Sequence, residues 1–251
     1  MTSAPFSRVP LWEARYADSA AVVAEFPARI SEGQMNLRWV VKSSAILTLA
    51  LQGLVGPATI SFVDAATWST GAADVSRVPG DRKTVVVSPD SKKSIVINRH
   101  GFYVTEGGTR LPGMEDDAGF DVLAELTWAP DSSAFVVTWS DGGIVGTWRV
   151  NVYLVDGSRV RRVDPTAEVV KHFKTQYRCD GSEEPNVAAI RWAKGSQRLL
   201  LVAEVPPHSS CPEMGKVMGY MVSVPKGAIL ERFSHGQLKR QWGRHLGERL
   251  R

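Results

Sequence analysis

Three stretches of the chain align without gaps: "KTVVVSPDSKKSIVINR" (Lys83–Arg99), "AELTWAPDSSAFVVTWS" (Ala124–Ser140) and "AAIRWAKGSQRLLLVAE" (Ala188–Glu204). They begin at residues 83, 124 and 188, which places them 41 and then 64 residues apart. Each is typical of a strand, a four-residue turn and a second strand rich in β-branched and apolar residues. In the first two stretches the turn is Pro-Asp-Ser, where Pro fixes φ and the Asp side chain can accept a hydrogen bond from the backbone two residues on. The pattern therefore predicts three copies of one β-hairpin.

The pattern continues beyond each hairpin. A third strand, a Gly-containing turn and a fourth strand are predicted in "GFYVTEGGTRL" (101–111), "WRVNVYLVDGSRVRRV" (148–163) and "MGYMVSVPKGAILERF" (218–233). Four strands in a unit of about 40 residues indicate the blades of a propeller. We therefore predict an all-β fold: a propeller-like array of about three four-stranded, WD-like blades over residues 66–233.

The turn "WAPDS" at Trp128–Ser132, together with "VYLVDG" at Val152–Gly157, resembles the WD-like repeats of TolB-type β-propellers and of the propeller domains in prolyl-peptidase relatives. The resemblance covers about residues 70–235, and its motifs are structural. The first unit departs from it with Val87 in the aromatic position, and the third with Lys194-Gly195 in place of Pro-Asp. For TolB-like proteins the resemblance implies a periplasmic scaffold that contacts envelope proteins, and no partner-binding residue carries over.

Three blades do not close a ring, because propellers typically have four to eight. Either a divergent fourth blade is present, or the array is open and completes itself by pairing with another chain. An open β edge favours such pairing, including self-association.

Two helices are predicted beside the blades. The first covers about 166–177, with Thr166 as N-cap and with Val169, Phe173 and Tyr177 on one face. The second, a basic amphipathic helix, covers 234–251 and starts at a capping box formed by Ser234 and the residue three positions on. Its apolar stripe consists of Leu238, Trp242, Leu246 and Leu250. That helix is expected to dock on the last blade, to cover an open edge, or to lie on an anionic membrane surface.

The segment from Met35 has the order of a secretory signal. Arg38 and Lys42 precede the apolar run Ala45–Val55, and the small-residue exit Val63-Asp64-Ala65 follows. We therefore predict a signal peptide over 35–65, and a mis-called or disordered extension over 1–34. The predicted location is periplasmic or secreted; an uncleaved inner-membrane anchor or a cytoplasmic protein is the alternative.

Cys179 and Cys211 are the two cysteines of the chain. In an exported protein an even pair in loop-like surroundings favours a disulfide. Free thiols and a metal site are the alternatives, the latter because His208 and Cys211 have an H-x-x-C spacing. A structural zinc site needs four ligands, and no second close pair accompanies this one.

Charge and motifs bear on the class of function. The net charge of +4 equals the excess in the tail from Glu231 to Arg251, where six basic residues face two acids. The rest of the chain is neutral on balance, so we expect no nucleic-acid partner. No G-x-S-x-G motif occurs and the five histidines are scattered. We expect no catalytic residue, no cofactor and no metal, and we interpret Glu204 as a strand-end acid facing solvent, with a central channel as the alternative.

The tryptophans are candidates for both packing and binding. Trp128 and Trp192 occupy the repeated strand position and are predicted to be core residues. Trp139, Trp148 and Trp242 are candidate contacts for a protein or glycan partner, with core packing as the alternative. The predicted function is thus an exported, non-catalytic binding or assembly module of the bacterial cell envelope. The alternative is an accessory propeller of a peptidase or glycan-active enzyme whose catalytic part is on another chain.

Overall fold

The computed structural model of the protein describes residues 67–76, 83–98, 101–114, 123–140, 142, 147–177, 179 and 183–251. The predicted extension 1–34 and the predicted signal peptide 35–65 lie outside these residues. The structure therefore bears on the β units and on the tail.

The described residues form three antiparallel sheets and two short α-helices. A short strand, β1 (Ala73–Asp74), comes first. Sheet I contains β2 (Thr84–Val87), β3 (Lys93–Asn98), β4 (Gly101–Glu106) and β5 (Thr109–Arg110). Sheet II contains β6 (Leu123–Trp128), β7 (Ala134–Ser140), β8 (Arg149–Asp156) and β9 (Arg159–Val163). After helix α1 (Ala167–Gln176), sheet III contains β10 (Asn186–Ala193), β11 (Arg198–Glu204), β12 (Val217–Ser223) and β13 (Ile229–Ser234), and helix α2 (His235–Trp242) follows.

Each predicted four-stranded unit is one sheet with its strands in chain order. The all-β prediction and the assignment of strands to three units are confirmed. Sequence reasoning missed β1, which pairs antiparallel with β6 and makes sheet II five-stranded. The chain itself thus covers part of one edge of sheet II.

The Pro-Asp-Ser turns form as predicted. The Oδ1 atom of Asp90 accepts a hydrogen bond from the backbone N–H of Lys92 at 3.1 Å, and Asp131 accepts one from Ser133 at 3.1 Å. In the third unit Lys194 and Gly195 have φ angles of 47° and 68°. Two successive positive φ angles are typical of a type I′ turn, so the departure from Pro-Asp changes the type of turn and preserves the hairpin.

The sheets pack face to face in chain order, with sheet II in the middle. One buried cluster joins sheets I and II and includes Ile95, Phe102, Val104, Leu126, Phe135, Val137 and Tyr153. A second joins sheets II and III and includes Val136, Val150, Val152, Val187, Leu199, Leu201 and Tyr220. Sheet II is therefore buried on both faces, which explains its nearly continuous apolar strands.

The outer face of sheet III is covered by the tail and by the chain around Trp68. Leu238, Leu246 and Leu250 are all at most 3% exposed and belong to the cluster on this face. Gly219 on β12 lies directly beneath the tail, because a Cβ atom there would be 2.8 Å from Leu238 Cδ1. The tail is thus docked on the third unit.

The predicted helix over 234–251 is too long. The capping box is present, with Ser234 N–H donating to Gln237 Oε1 at 2.8 Å, but α2 ends at Trp242 and two short 3₁₀ turns follow at 243–245 and 248–250. Gly247 explains the break, because its N–H donates to Trp68 O at 2.7 Å and a Cβ atom there would be 2.1 Å from Thr67 O. The close approach of Thr67 to Gly247 prevents one continuous helix, even though the apolar stripe continues in the sequence.

Helix α1 begins where predicted, but the predicted role of Thr166 is wrong in detail. Thr166 occupies the N-cap position and its side chain makes no capping bond; its Oγ1 donates to Asp164 Oδ1 at 2.6 Å instead.

In the part of the chain that the structure describes, no helix is long and apolar enough to cross a membrane.

Candidate functional site

Helix α1 packs against sheets II and III through its apolar face. Val169 and Phe173 are buried in the cluster shared by sheets II and III. At the end of the helix the Tyr177 N–H donates to Phe173 O at 3.0 Å, and the two rings contact each other with centroids 4.9 Å apart. The predicted four-residue spacing therefore places two aromatic rings side by side at the exit of the helix.

The exit of α1 is joined covalently to sheet III. Cys179 and Cys211 form a disulfide with a Cα–Cα distance of 5.0 Å, which confirms the predicted bond against the thiol and metal alternatives. Cys211 lies in the segment 205–216 between β11 and β12, whose ends are closed by the bond from Val205 N–H to Lys216 O at 2.9 Å. The disulfide thus links the two insertions of the third unit.

A cleft of about 310 Å³ opens between these two insertions. This volume is at the lower end of the range for small-molecule pockets, roughly 300–1,000 Å³. Most of its wall is apolar or aromatic, and a lysine and a glutamate supply the charge. The described lining residues are Phe173, Lys174, Tyr177, Cys179, Glu183, Pro185, Val205 and Pro206.

The two charged groups of the cleft have different environments. Lys174 Nζ lies 2.5 Å from Glu184 Oε1, so its charge is already paired. The Oε2 atom of Glu183 is buried and accepts no hydrogen bond from any described residue. A buried acceptor without a donor is costly, so this oxygen is the atom of the cleft that most needs a partner.

Behind the helix, His172 and Tyr220 form a second polar contact. His172 Nδ1 lies 3.1 Å from the hydroxyl of Tyr220, which is fully buried on β12. Burial raises the pKa of Tyr220 above its usual value, while burial and the nearby Arg232 lower the pKa of His172. Both side chains are therefore neutral near pH 7, and this contact anchors the helix to sheet III.

Glu204 is not the solvent-facing acid that the sequence predicts. It is 5% exposed, accepts a hydrogen bond from Asn186 Nδ2 at 2.9 Å and pairs with Arg249 Nη2 at 2.8 Å. Arg249 also lies over the ring of Trp68, 4.4 Å from its centroid. The cluster fastens the C-terminal residues to sheet III.

A second buried carboxylate, Glu125 on β6, holds the segment that precedes β1. It accepts backbone hydrogen bonds from Trp68 at 2.7 Å and Ser69 at 3.2 Å. Burial raises the pKa of Glu125 to about 7 despite these two donors; Asp74 raises it further and Arg249 lowers it. Sequence reasoning gave no sign of this role, because the partners of Glu125 are more than fifty residues away.

The candidate tryptophans differ in accessibility. Trp128 and Trp192 are buried as predicted, at 7% and 5% exposure. Trp148 is also buried, packing edge-on against a second indole, so this structure does not present it to a partner. Trp139 and Trp242 are half-buried. Neither lines the cleft beside the disulfide.

The described residues contain no group of three or more His, Cys, Asp and Glu side chains placed to hold a metal ion.

No family model matches the chain, and no curated protein matches it.

Sequence reasoning found the helix face and the cysteines that build the cleft but missed the cleft itself. The signal available was the sequence "CDGSEEP", in which Glu183 follows Cys179 by four residues. Charged residues next to a disulfide between two insertions are candidates for a contact surface.

Proposed function

We propose that this protein is an exported, non-catalytic binding module of the bacterial cell envelope that contacts a protein partner through the cleft beside Cys179–Cys211. The observation that carries the proposal is the cleft itself: an aromatic and proline-lined cavity beside a disulfide that joins two insertions of one repeat unit. Insertions on a regular scaffold are where binding function is usually found.

A propeller-like arrangement of the three sheets is part of this proposal. Two equivalent contacts support it. The indole N–H of Trp128 donates to Val86 O in sheet I, and that of Trp192 donates to Thr127 O in sheet II, both at 3.2 Å. Each unit thus joins its predecessor through the same pair of positions, as expected for successive blades.

Among the described residues, sheet I has an exposed side that we propose as the open end of the array. Val85 and Val87 on β2 are 53% and 54% exposed, and Val87 stands where the next two units have tryptophan. Without that indole, sheet I has no counterpart of the bond that joins the later units. Self-association at this end is compatible with the proposal, whereas the other end is covered by the docked tail.

Export is supported by the disulfide, which fits an oxidising compartment outside the cytoplasm. The predicted signal over 35–65 would supply the route. The tail's apolar side chains are packed on sheet III, so we propose docking as the role of 234–251 and do not assign it to a membrane surface.

The binding claim is tested by photo-crosslinking in the cell. A photoreactive phenylalanine replaces Tyr177 at the cleft and, in a control variant, Arg161 on the exposed edge strand β9. The proposal predicts a discrete adduct at the cleft position and none at the control position. It is contradicted by the absence of an adduct at 177 or by equal adducts at both positions. A hydrolase as the crosslinked partner would favour the accessory-propeller alternative.

A further inference from the structure

In the cleft beside the disulfide, the described lining residues combine an aromatic wall with a carboxylate that none of them pairs. Tyr177 is half-buried and leans on the buried Phe173, and Pro185 and Pro206 complete the apolar wall. A wall of this kind accepts an apolar stem or a flat group, and the face of an aromatic ring attracts a cation.

The charges around the cleft add to this preference. Lys174 and Glu184 neutralise each other at 2.5 Å, which leaves the carboxylate of Glu183 as the uncompensated charge among the described lining residues. Its buried Oε2 atom accepts no hydrogen bond from them. An N–H donor that carries positive charge would satisfy both the acceptor and the charge.

We propose that the cleft binds a basic side chain of an extended peptide segment, with arginine as the best fit. The guanidinium donates to the carboxylate of Glu183, and the methylene stem lies against Tyr177 and Pro206. The planar fork of arginine suits both a carboxylate and an aromatic face. A cleft of about 310 Å³ has room for one large side chain and not for a bulky cofactor. This inference rests on the proposed function and names the chemistry of the partner.

The test is a titration of the oxidised protein with blocked pentapeptides, followed by the amide NMR signals of Tyr177 and Val205. The probes carry arginine, citrulline or glutamate between glycines; citrulline has the shape of arginine without its charge. We expect saturable shifts with the arginine probe and binding at least about tenfold weaker with citrulline, as for loss of one charge-assisted hydrogen bond. Equal binding of arginine and citrulline, or no shifts with any probe, would overturn the inference.

Two variants locate the interaction. Glu183→Gln removes the charge in the cleft, and Glu213→Gln makes the same change at a residue outside the cleft lining, whose side chain is 45% exposed and pairs with Lys216 at 4.0 Å. We expect Glu183→Gln to weaken arginine binding about tenfold and Glu213→Gln to change it less than about twofold. Equal effects of the two variants would contradict the assignment to Glu183. If the probes fail while crosslinking at position 177 succeeds, this inference is wrong and the proposed function stands.

Discussion

The indole nitrogen of Trp192 donates a hydrogen bond to the backbone carbonyl of Thr127 at 3.2 Å, across the boundary between sheets II and III. Trp192 is 5% exposed and Thr127 is half-buried, so the bond is partly shielded from water. Trp192 thus occupies a position that repeats in the sequence, and it makes a contact between sheets that repeats in the structure.

This hydrogen bond predicts that Trp192→Phe destabilises the folded protein. The substitution leaves the Thr127 carbonyl without its donor and removes ring volume, so we expect the free energy of unfolding to fall by about 2 kcal/mol. Urea denaturation measures it. Trp242→Phe is the control, because the indole N–H of Trp242 has no acceptor among the described residues and the ring is half-buried. A loss for Trp242→Phe as large as that for Trp192→Phe would contradict the role of the hydrogen bond.

The disulfide predicts a dependence of stability on redox state. Cys179 and Cys211 are 32 residues apart, and closing a loop of that length stabilises the folded state by about 3 to 4 kcal/mol in the chain-entropy model. Thermal unfolding with and without a reductant, and of the double Cys→Ser variant, should show this loss. His208→Ala and a metal chelator should change nothing. A chelator effect on the oxidised protein would revive the metal interpretation.

Glu125 predicts the direction of a pH effect. Its pKa in the folded protein is raised, from 4.5 to about 7, mainly by burial. The folded state therefore binds a proton at Glu125 more tightly than the unfolded state does. The resulting contribution to the free energy of unfolding is complete below the pKa of Glu125 in the unfolded state, and it is lost as pH rises through about 7. Urea unfolding at about pH 5 and about pH 8 should show a smaller decrease for Glu125→Gln than for the parent protein. An equal decrease in both proteins would show that Glu125 does not titrate in this range.

The docked tail predicts a contrast between two leucines. Leu238 is fully buried against Gly219, and Leu230 is 44% exposed on β13. We expect Leu238→Ala to lower the free energy of unfolding by about 3 kcal/mol and Leu230→Ala by less than about 1 kcal/mol. Neither should change co-sedimentation with anionic phospholipid vesicles. Unchanged stability of Leu238→Ala with lost vesicle binding would place the tail on a membrane instead.

The repeat units could be predicted from the sequence because their information is local. Runs of β-branched and apolar residues define the hairpins within about twenty residues, with Pro-Asp-Ser turns at Asp90 and Asp131 in the first two units, and the structure forms the hairpins as predicted. The disulfide could also be predicted, because a chain with two cysteines allows a single pairing. The disulfide and the position of α1 followed from short-range patterns.

The features that sequence reasoning missed depend on partners far away in the chain. The pairing of Glu204 with Arg249 spans 45 residues, and the anchoring of Trp68 by Glu125 spans 57. The end of α2 depends on the approach of Thr67 to Gly247, which no helical periodicity reveals. The cleft is missed for the same reason, because it exists only after a disulfide brings two insertions together.

The most direct test of the account is the intact mass of the protein isolated from its native cells. The account requires export and an intact disulfide, so it predicts a mature chain that starts near Ala66 and lacks the two thiol hydrogens of Cys179 and Cys211. A chain that retains the residues before Met35 and carries both cysteines as free thiols would contradict it.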